Sequence, residues 1–151
     1  MLAIVIGAAL CAAAIAGCGG GDGDETSSLT KAQYVKQADA ICTKAGEEKE
    51  KAIAAAFKKR SLDKLPSSKK VQEELVLDVL PPLKKMTEEL AELEAPSGDE
   101  ERVEAMVQSF EDSVENLEED PGEGLKENYN AFDKPTKLAA DYGLETCSNV
   151  S

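Results

Sequence analysis

Residues 100–122, which read EERVEAMVQSFEDSVENLEEDPG, decide the fold of this chain most clearly. Apolar residues recur there at steps of four, three, four and three positions, which places them on one face of an α-helix: Val103, Val107, Phe110, Val114 and Leu117. Most of the intervening positions are polar or acidic. Ser97 with Glu100 offers a capping box at the start, and Asp120-Pro121-Gly122 ends the pattern. The segment therefore predicts an amphipathic helix that turns its apolar face towards a core.

A first helix is predicted upstream, at about residues 30 to 60, with Thr30 and Gln33 as a capping box at its start. Its apolar residues fall on one face at three- and four-residue steps, and Cys42 lies on that face. Lys58-Lys59-Arg60 places positive charge at the C-terminal end, where the helix dipole favours it. Cys42 is therefore expected to point into the core.

A second helix is predicted to begin at Ser67 or Ser68 and to meet Pro81-Pro82 near its middle. Proline has no N–H and its ring crowds the preceding turn, so the helix must bend at this pair or break and restart. Apolar residues at helical spacing resume after the pair and stop before Pro96. A kinked second helix follows from this pattern.

A short last helix is predicted with Asp133 as its cap and Gly143 as its left-handed end, after which Leu144 folds back onto the helix. No segment alternates apolar and polar residues over the length of a strand. The sequence therefore predicts an all-α fold, an antiparallel bundle of about four helices in which the second helix is kinked.

The N-terminus carries an uncharged apolar run that begins at Leu2 and ends in Ile15-Ala16-Gly17-Cys18. The run suits a signal peptide but is too short to cross a bilayer comfortably as a helix. Ile15-Ala16-Gly17-Cys18 resembles the lipobox of bacterial lipoproteins. This resemblance implies cleavage between Gly17 and Cys18 and thioether attachment of a diacylglycerol to the Cys18 sulfur. No Lys or Arg follows Met1, which departs from the usual positive start of a signal peptide. An uncleaved N-terminal anchor is the alternative.

The chain is accordingly divided into a signal peptide at residues 1–17, a lipidated cysteine with a flexible Gly- and Asp-rich tether at 18–28, and one helical domain at 29–151. Two or three acyl chains hold a protein on a membrane because each buried methylene contributes about 0.8 kcal/mol. The expected location is the outer face of the bacterial cytoplasmic membrane, and the membrane is the first expected partner, through the lipid on Cys18.

Four cysteines occur in the sequence, of which Cys11 lies in the predicted signal peptide and Cys18 in the lipobox. Cys42 and Cys147 remain as an even pair in a chain sent to an oxidising compartment. We predict one disulfide between them that closes the bundle, with two buried free thiols as the alternative. The sequence has no Cys-x-x-Cys motif, which leaves thiol-exchange and zinc chemistry without support.

Charge and composition exclude several classes of function. Thirty Asp and Glu residues against 17 Lys and Arg give a formal net charge of −13, so no nucleic-acid partner is expected. The chain has no histidine, which rules out Ser-His-Asp and Cys-His constellations and the Glu-x-x-His motif of bundled metal sites. We expect no cofactor, no metal site and no catalytic residue, and we predict that the protein is not an enzyme.

Two groups of residues have both a functional and a structural interpretation. Carboxylates near the end of the third helix could gather calcium loosely, but a solvated helix face is the favoured interpretation: Glu111, Asp112, Glu115, Glu118, Glu119 and Asp120. Five aromatic residues could line a ligand pocket, but core packing is favoured because most of them sit at helical spacing: Tyr34, Phe57, Phe110, Phe132 and Tyr142.

The combination of Ala38-Asp39-Ala40-Ile41-Cys42 with Tyr142-Gly143-Leu144 and Cys147 resembles a group of small, poorly characterised lipoproteins and secreted proteins of actinobacteria. Leu80-Pro81-Pro82-Leu83 and Ala95-Pro96 are similar as well. The resemblance covers nearly the whole mature chain and implies a helical extracytoplasmic domain. It implies no catalytic residue.

The sequence thus favours a membrane-anchored, non-catalytic interaction module that meets an envelope protein partner. A carrier or sensor of a small apolar ligand is the alternative. A solid core with an exposed apolar patch would favour the module, whereas an internal cavity rimmed by the aromatic residues would favour the carrier.

Overall fold

The computed structural model describes residues 28–126 and 130–150. These residues form four α-helices and two short 3₁₀ turns, and no strand. The helices are α1 (Lys31–Lys59), α2 (Lys69–Ala91), α3 (Glu100–Glu119) and α4 (Asp133–Tyr142), and the 3₁₀ turns are Glu123–Leu125 and Cys147–Asn149. The predicted all-α fold is confirmed. Gly17 and Cys18, the predicted cleavage and lipidation positions, lie outside the described residues.

Helices that are neighbours in sequence pack against each other in antiparallel pairs, α1 with α2, α2 with α3 and α3 with α4. In the first pair, Lys44 in the middle of α1 binds Glu89 near the end of α2 at 2.8 Å. Arg60, just after α1, binds Asp78 in the first half of α2. The predicted antiparallel bundle of four helices is therefore the architecture of the described residues.

The apolar stripe of α3 lies at the centre of the core, as its spacing predicted. Its five members are all buried: Val103, Val107, Phe110, Val114 and Leu117. Met106, Ser109 and Ser113 on the same helix are buried too, so the buried face is wider than the stripe. The Ser113 hydroxyl is satisfied by the carbonyl oxygens of Ser109 and Ala131, at 2.9 and 2.7 Å, and thereby links α3 to the residues that precede α4.

Helix α2 runs through Pro81 and Pro82 without a break. Neither ring nitrogen carries a hydrogen, so the carbonyl oxygens of Leu77 and Asp78 lack their usual helical donor four residues on. Buried leucines on both sides of the pair hold α2 between α1 and α3, and this packing offsets the lost hydrogen bonds. Of the two predicted outcomes, a bend or a break with a restart, the break does not occur.

Two predicted helix starts lie where expected. Thr30 and Gln33 form the predicted capping box of α1: the Thr30 Oγ1 accepts from the Gln33 N–H at 3.3 Å, and the Gln33 Oε1 accepts from the Thr30 N–H at 2.9 Å. Ser68 precedes α2 as predicted, but its side chain makes no capping hydrogen bond.

The capping box predicted for Ser97 and Glu100 was wrong. Helix α3 starts after Asp99, and the Glu100 carboxylate accepts a hydrogen bond from the Gly98 N–H at 2.7 Å. Gly98 has a φ of 87°, a left-handed conformation that turns the chain just before the helix. This turn carries Ser97 away from the helix start, and its hydroxyl instead lies 2.7 Å from that of Ser28.

At α4 the predicted end is confirmed and the predicted cap was wrong. Asp133 is the first residue of the helix and makes no capping bond. Gly143 has a φ of 105° and ends the helix in the left-handed conformation. The Leu144 N–H then donates to the carbonyl oxygen of Ala139 at 2.9 Å, and the Leu144 side chain is buried. This is the Schellman type of helix end.

Candidate functional site

The disulfide between Cys42 and Cys147 joins α1 to the C-terminal 3₁₀ turn. The two Cα atoms are 5.1 Å apart across a sequence separation of 105 residues, and both side chains are buried. The predicted disulfide is confirmed, so the alternative of two free thiols was wrong. The bridge closes the bundle by holding the chain's end against its first helix.

Asp39, one helical turn before Cys42, caps the same 3₁₀ turn from another helix. Its Oδ1 accepts hydrogen bonds from the backbone N–H groups of Thr146 at 2.8 Å and Cys147 at 3.2 Å, and its Oδ2 accepts from that of Glu145 at 3.2 Å. A carboxylate at the start of a helical turn stabilises donors that lack partners within the turn. Sequence reasoning missed this role because a cap contributed by a distant helix has no local signal.

Tyr142 completes the contacts of the C-terminal region with α1. Its ring meets the ring of Tyr34 edge-on, with 5.7 Å between centroids and 82° between planes. Its hydroxyl donates to the Asp99 carboxylate at 2.9 Å, and the Lys31 Nζ lies 4.2 Å from its ring centroid. Tyr142 thus packs against α1 next to the disulfide and the Asp39 cap.

The two buried tyrosines differ in how their hydroxyls are satisfied. The Tyr34 hydroxyl is buried and has no hydrogen-bond partner among the described residues. Burial raises the pKa of Tyr34 to about 12, because the phenolate would lose its hydration. Burial also raises the pKa of Tyr142, and the hydrogen bond to the Asp99 carboxylate adds to that shift. Both groups stay neutral at physiological pH.

The five aromatic positions do not surround a ligand cavity. Tyr34, Phe110, Phe132 and Tyr142 belong to the buried core, and Phe57 is half-buried. Of these residues only Phe132 lines one of the grooves on the described surface. The favoured interpretation as core residues is confirmed for the four buried aromatic residues, whereas Phe57 lies outside the core cluster.

A long concave surface follows the junction of α2 and α3, and we call it the α2–α3 groove. One section, of about 440 Å³, lies at the end of α2 and the start of α3. A second section, of about 340 Å³, shares Gln108 and Glu111 with the first and continues along both helices. The apolar residues that line the two sections include Leu90, Leu93, Val103, Val107 and Val114.

The walls of the α2–α3 groove are strongly acidic. One basic residue, Lys84, lines it, together with eight glutamates: Glu88, Glu92, Glu94, Glu100, Glu104, Glu111, Glu115 and Glu118. The Lys84 Nζ binds both carboxylate oxygens of Glu118 at 3.0 Å, which raises the pKa of Lys84. Within residues 28–126 and 130–150, none of the other seven glutamates forms an ion pair. Where α1 packs against α2, by contrast, acidic residues form ion pairs with Lys44, Arg60 and Lys85.

A second groove, of about 310 Å³, lies between α1, α2 and the residues before α4. It is predominantly apolar and is lined by residues that include Ile53, Val76, Val79, Leu83 and Phe132. Ile53 is 40% exposed, which is high for a large aliphatic side chain. We call this surface the apolar groove.

Neither a metal-binding group nor a membrane-spanning helix is found among the described residues. Across residues 28–126 and 130–150, Asp, Glu and Cys side chains do not gather into any group of three that could hold a metal ion. In those same ranges, no helix combines the length and hydrophobicity needed to cross a membrane. Comparison with known proteins found no matching family, no similar curated protein and no similar solved structure.

Proposed function

We propose that this protein is a non-catalytic interaction module, held by a lipid on Cys18 at the outer face of a bacterial cytoplasmic membrane. The α2–α3 groove is the observation that carries the binding role, because it is a long concave surface on which seven of the eight lining glutamates form no ion pair with another described residue. Concave surfaces are where proteins usually bind their ligands and partners. Since the aromatic residues fill the core, the proposed binding surface lies on the outside of the bundle.

The anchor is supported by the lipobox and by the position of the tether. Ser28, the last tether residue, contacts Ser97 in the connection between α2 and α3. The tether thus meets the bundle at the end where the α2–α3 groove begins. The Cys42–Cys147 disulfide supports an oxidising, extracytoplasmic location.

A Cys18→Ser variant tests the anchor, with Cys11→Ser as the matched control in the signal peptide. We expect the wild-type protein and Cys11→Ser in the membrane fraction, with a mass that starts at Cys18 and includes the lipid. We expect Cys18→Ser to lose the lipid and to remain unprocessed. Lipidation of the Cys18→Ser variant, or an unmodified full-length wild-type chain in the cytosol, overturns the anchor.

Photo-crosslinking in intact cells tests the interaction role. A photoreactive amino acid at Gln108, an exposed groove residue, is compared with one at Gln37, an exposed residue of α1 that lines no groove described above. We expect Gln108 alone to give a discrete adduct with an envelope protein. Equal patterns from the two positions, or no protein adduct, contradict the interaction module.

The apolar groove favours a second candidate function, a carrier or sensor of a small apolar ligand. Native mass spectrometry of the purified protein tests this candidate directly. A stoichiometric apolar ligand that is lost in an Ile53→Glu variant supports the carrier, and a ligand-free wild-type protein contradicts it. Ile53→Glu is suitable because the side chain is already 40% exposed.

A further inference from the structure

We propose that a groove between α3 and the start of α4 binds a small, neutral, hydroxyl-rich ligand of the monosaccharide class. We call this surface, of about 390 Å³, the polar groove. It is lined on α3 by Ser109, Asp112, Ser113 and Asn116, and on the other side by Asn130, Ala131 and the first two residues of α4. This site lies on another junction of the bundle than the α2–α3 groove, and it goes beyond the proposed function.

An unpaired buried hydroxyl at Ser109 gives the first argument. The Ser109 side chain is 2% exposed, and its hydroxyl has no hydrogen-bond partner among the described residues. A serine within a helix often donates to the carbonyl oxygen four residues earlier, as Ser113 does to Ser109 at 2.9 Å. Buried hydroxyls in folded proteins are almost always paired. The Ser109 hydroxyl is therefore available to a group from outside the chain.

The position of Ser109 on α3 directs its side chain towards the polar groove. Ser109 and Ser113 are one helical turn apart, so their side chains lie on the same face of α3. The Ser113 hydroxyl crosses the junction with the residues before α4, because it donates to the carbonyl oxygen of Ala131 at 2.7 Å. Ser109 lines the polar groove beside this hydrogen bond.

Tyr34 shows that an unpaired buried hydroxyl is not sufficient evidence of a site. Its hydroxyl also has no partner among the described residues, but Tyr34 lines none of the grooves described for this surface. At Ser109 the unpaired hydroxyl coincides with a concave surface. A pocket with polar groups converging on it is the usual form of a small-ligand site.

The floor of the polar groove determines the charge of the ligand. Ser109 and Ser113 are neutral, and both are buried. A charged ligand group in contact with them would lose its hydration without gaining an opposite charge. An apolar ligand group would leave the Ser109 hydroxyl unpaired. The floor therefore selects a neutral group that forms hydrogen bonds.

The amides at the rim of the polar groove favour several hydroxyls on the same ligand. The Asn130 Oδ1 accepts from the Phe132 N–H at 3.0 Å, which leaves the Asn130 Nδ2 as a donor. The exposed Asn116 amide offers both a donor and an acceptor. Because each ligand hydroxyl also donates and accepts, a hydroxyl-rich molecule matches this mixture of groups.

The charges at the rim also favour a neutral ligand. Asp112 and Asp133 repel an anion, and Lys134 repels a cation. Carboxylates accept hydrogen bonds from hydroxyls, and an ammonium group donates to them. A neutral sugar can therefore use all three side chains.

A panel of three neutral sugars serves as the probe: glucose, galactose and N-acetylglucosamine. Each is titrated into the mature lipidated protein in a polyoxyethylene detergent, which carries no sugar headgroup, and backbone amide signals are followed by NMR. We expect at least one sugar to shift the signals of residues 109–116 and 130–134 saturably. If none of the three does so, the proposal is wrong and water alone pairs with the Ser109 hydroxyl.

Ser109→Ala and Tyr34→Phe form a matched pair of variants, because each deletes a buried hydroxyl that has no partner among the described residues. Neither deletion should lower stability, so both variants should remain folded. We expect Ser109→Ala to weaken sugar binding about tenfold and Tyr34→Phe to change it less than twofold. Equal effects of the two variants overturn the proposal.

A second pair of variants tests the rim at exposed positions. Asn116→Ala removes an amide of the polar groove, and Gln37→Ala removes an exposed amide of α1 outside the grooves described above. We expect Asn116→Ala to weaken sugar binding about threefold and Gln37→Ala to leave it unchanged. Unchanged binding in Asn116→Ala contradicts the proposed site.

Titrations with glycine and with calcium chloride test the two rival ligand classes, a zwitterion and a cation. If either shifts the same signals saturably and no sugar does, the neutral ligand is wrong. The result is also distinguishable from the proposed function. A Gln108 crosslink without sugar binding overturns this proposal and leaves the interaction module standing, and sugar binding without a crosslink does the reverse.

Discussion

The carboxylate of Asp39 accepts a hydrogen bond from the backbone N–H of Cys147 at 3.2 Å, although 108 residues separate them in the chain. Cys147 is also bonded through its sulfur to Cys42, one helical turn beyond Asp39. The side chains of a single helix face therefore hold both the backbone and the side chain of the last turn. This double attachment brings the C-terminal end of the chain back to α1.

Loss of the Asp39 cap is expected to destabilise the fold. Asp39→Ala leaves three backbone donors without their acceptor and should cost about 2 kcal/mol of unfolding free energy. Asp39→Asn keeps an acceptor oxygen and should cost about 1 kcal/mol. Equilibrium urea unfolding with the disulfide intact measures both. Asp63→Ala, at an exposed position without such contacts, is the control, and equal stability of Asp39→Ala and this control contradicts the cap.

Removal of the disulfide is expected to have a larger effect. Cys42→Ala/Cys147→Ala releases the constraint on a loop of about one hundred residues in the unfolded chain, which is worth up to about 4–5 kcal/mol in the loop-entropy estimate. Urea unfolding followed by circular dichroism measures the loss, and the wild-type protein under reducing conditions should agree with it. A loss below about 1 kcal/mol would mean that packing alone closes the bundle.

Removal of the hydroxyl group should affect the stability of the protein differently at the two buried tyrosines. Tyr34→Phe deletes a buried hydroxyl that has no partner, so we expect unchanged stability or a gain of up to about 1 kcal/mol. Tyr142→Phe deletes the hydrogen bond to Asp99 and should cost about 1–2 kcal/mol. Thermal and urea unfolding test the pair. A marked loss in Tyr34→Phe would indicate that its hydroxyl is bound in solution.

Stability should fall at alkaline pH because of Tyr34. Its pKa is raised from 10.0 to about 12 in the folded protein, so above pH 10 the unfolded chain releases this proton more readily. The contribution of the protonated Tyr34 hydroxyl to the free energy of unfolding is fully present below pH 10 and is lost as the pH rises through 12. At pH 11 the difference amounts to about 1.4 kcal/mol. Urea unfolding at pH 8 and pH 11 should therefore show a smaller loss of unfolding free energy in Tyr34→Phe than in the wild-type protein. An identical pH dependence of Tyr34→Phe and the wild-type protein contradicts the shift.

Two glycine substitutions should change stability with opposite signs. Gly46 lies inside α1, and a Cβ there meets no atom within 4 Å, so Gly46→Ala should stabilise by about 0.5–1 kcal/mol through lower backbone entropy. A Cβ at Gly143 also has space, but its φ of 105° disfavours any side chain, and Gly143→Ala should cost about 1–2 kcal/mol. Melting temperatures measured side by side test both, since a loss at Gly46 or a gain at Gly143 contradicts the reasoning.

Local patterns in the sequence predicted most of the fold. The steps between Val103, Val107 and Phe110 depend only on the period of a helix, so they identify the buried face of α3. The Thr30 capping box and the Gly143 helix end involve residues within a few positions of each other, and both were predicted. The caps assigned to Ser97 and Asp133 failed because capping depends on backbone angles at the helix start. A residue type alone does not fix those angles.

By itself the sequence determined the helices, the inward position of Cys42, its pairing with Cys147 and the acidic character of the chain. Only the tertiary structure decided that α2 stays continuous through Pro81 and Pro82, that Asp39 caps the last turn, and that unpaired glutamates line the α2–α3 groove. The physical reason is the range of the interactions. Helix formation is governed by neighbours within four residues, whereas caps between helices and the clustering of charge depend on which helices become neighbours in space.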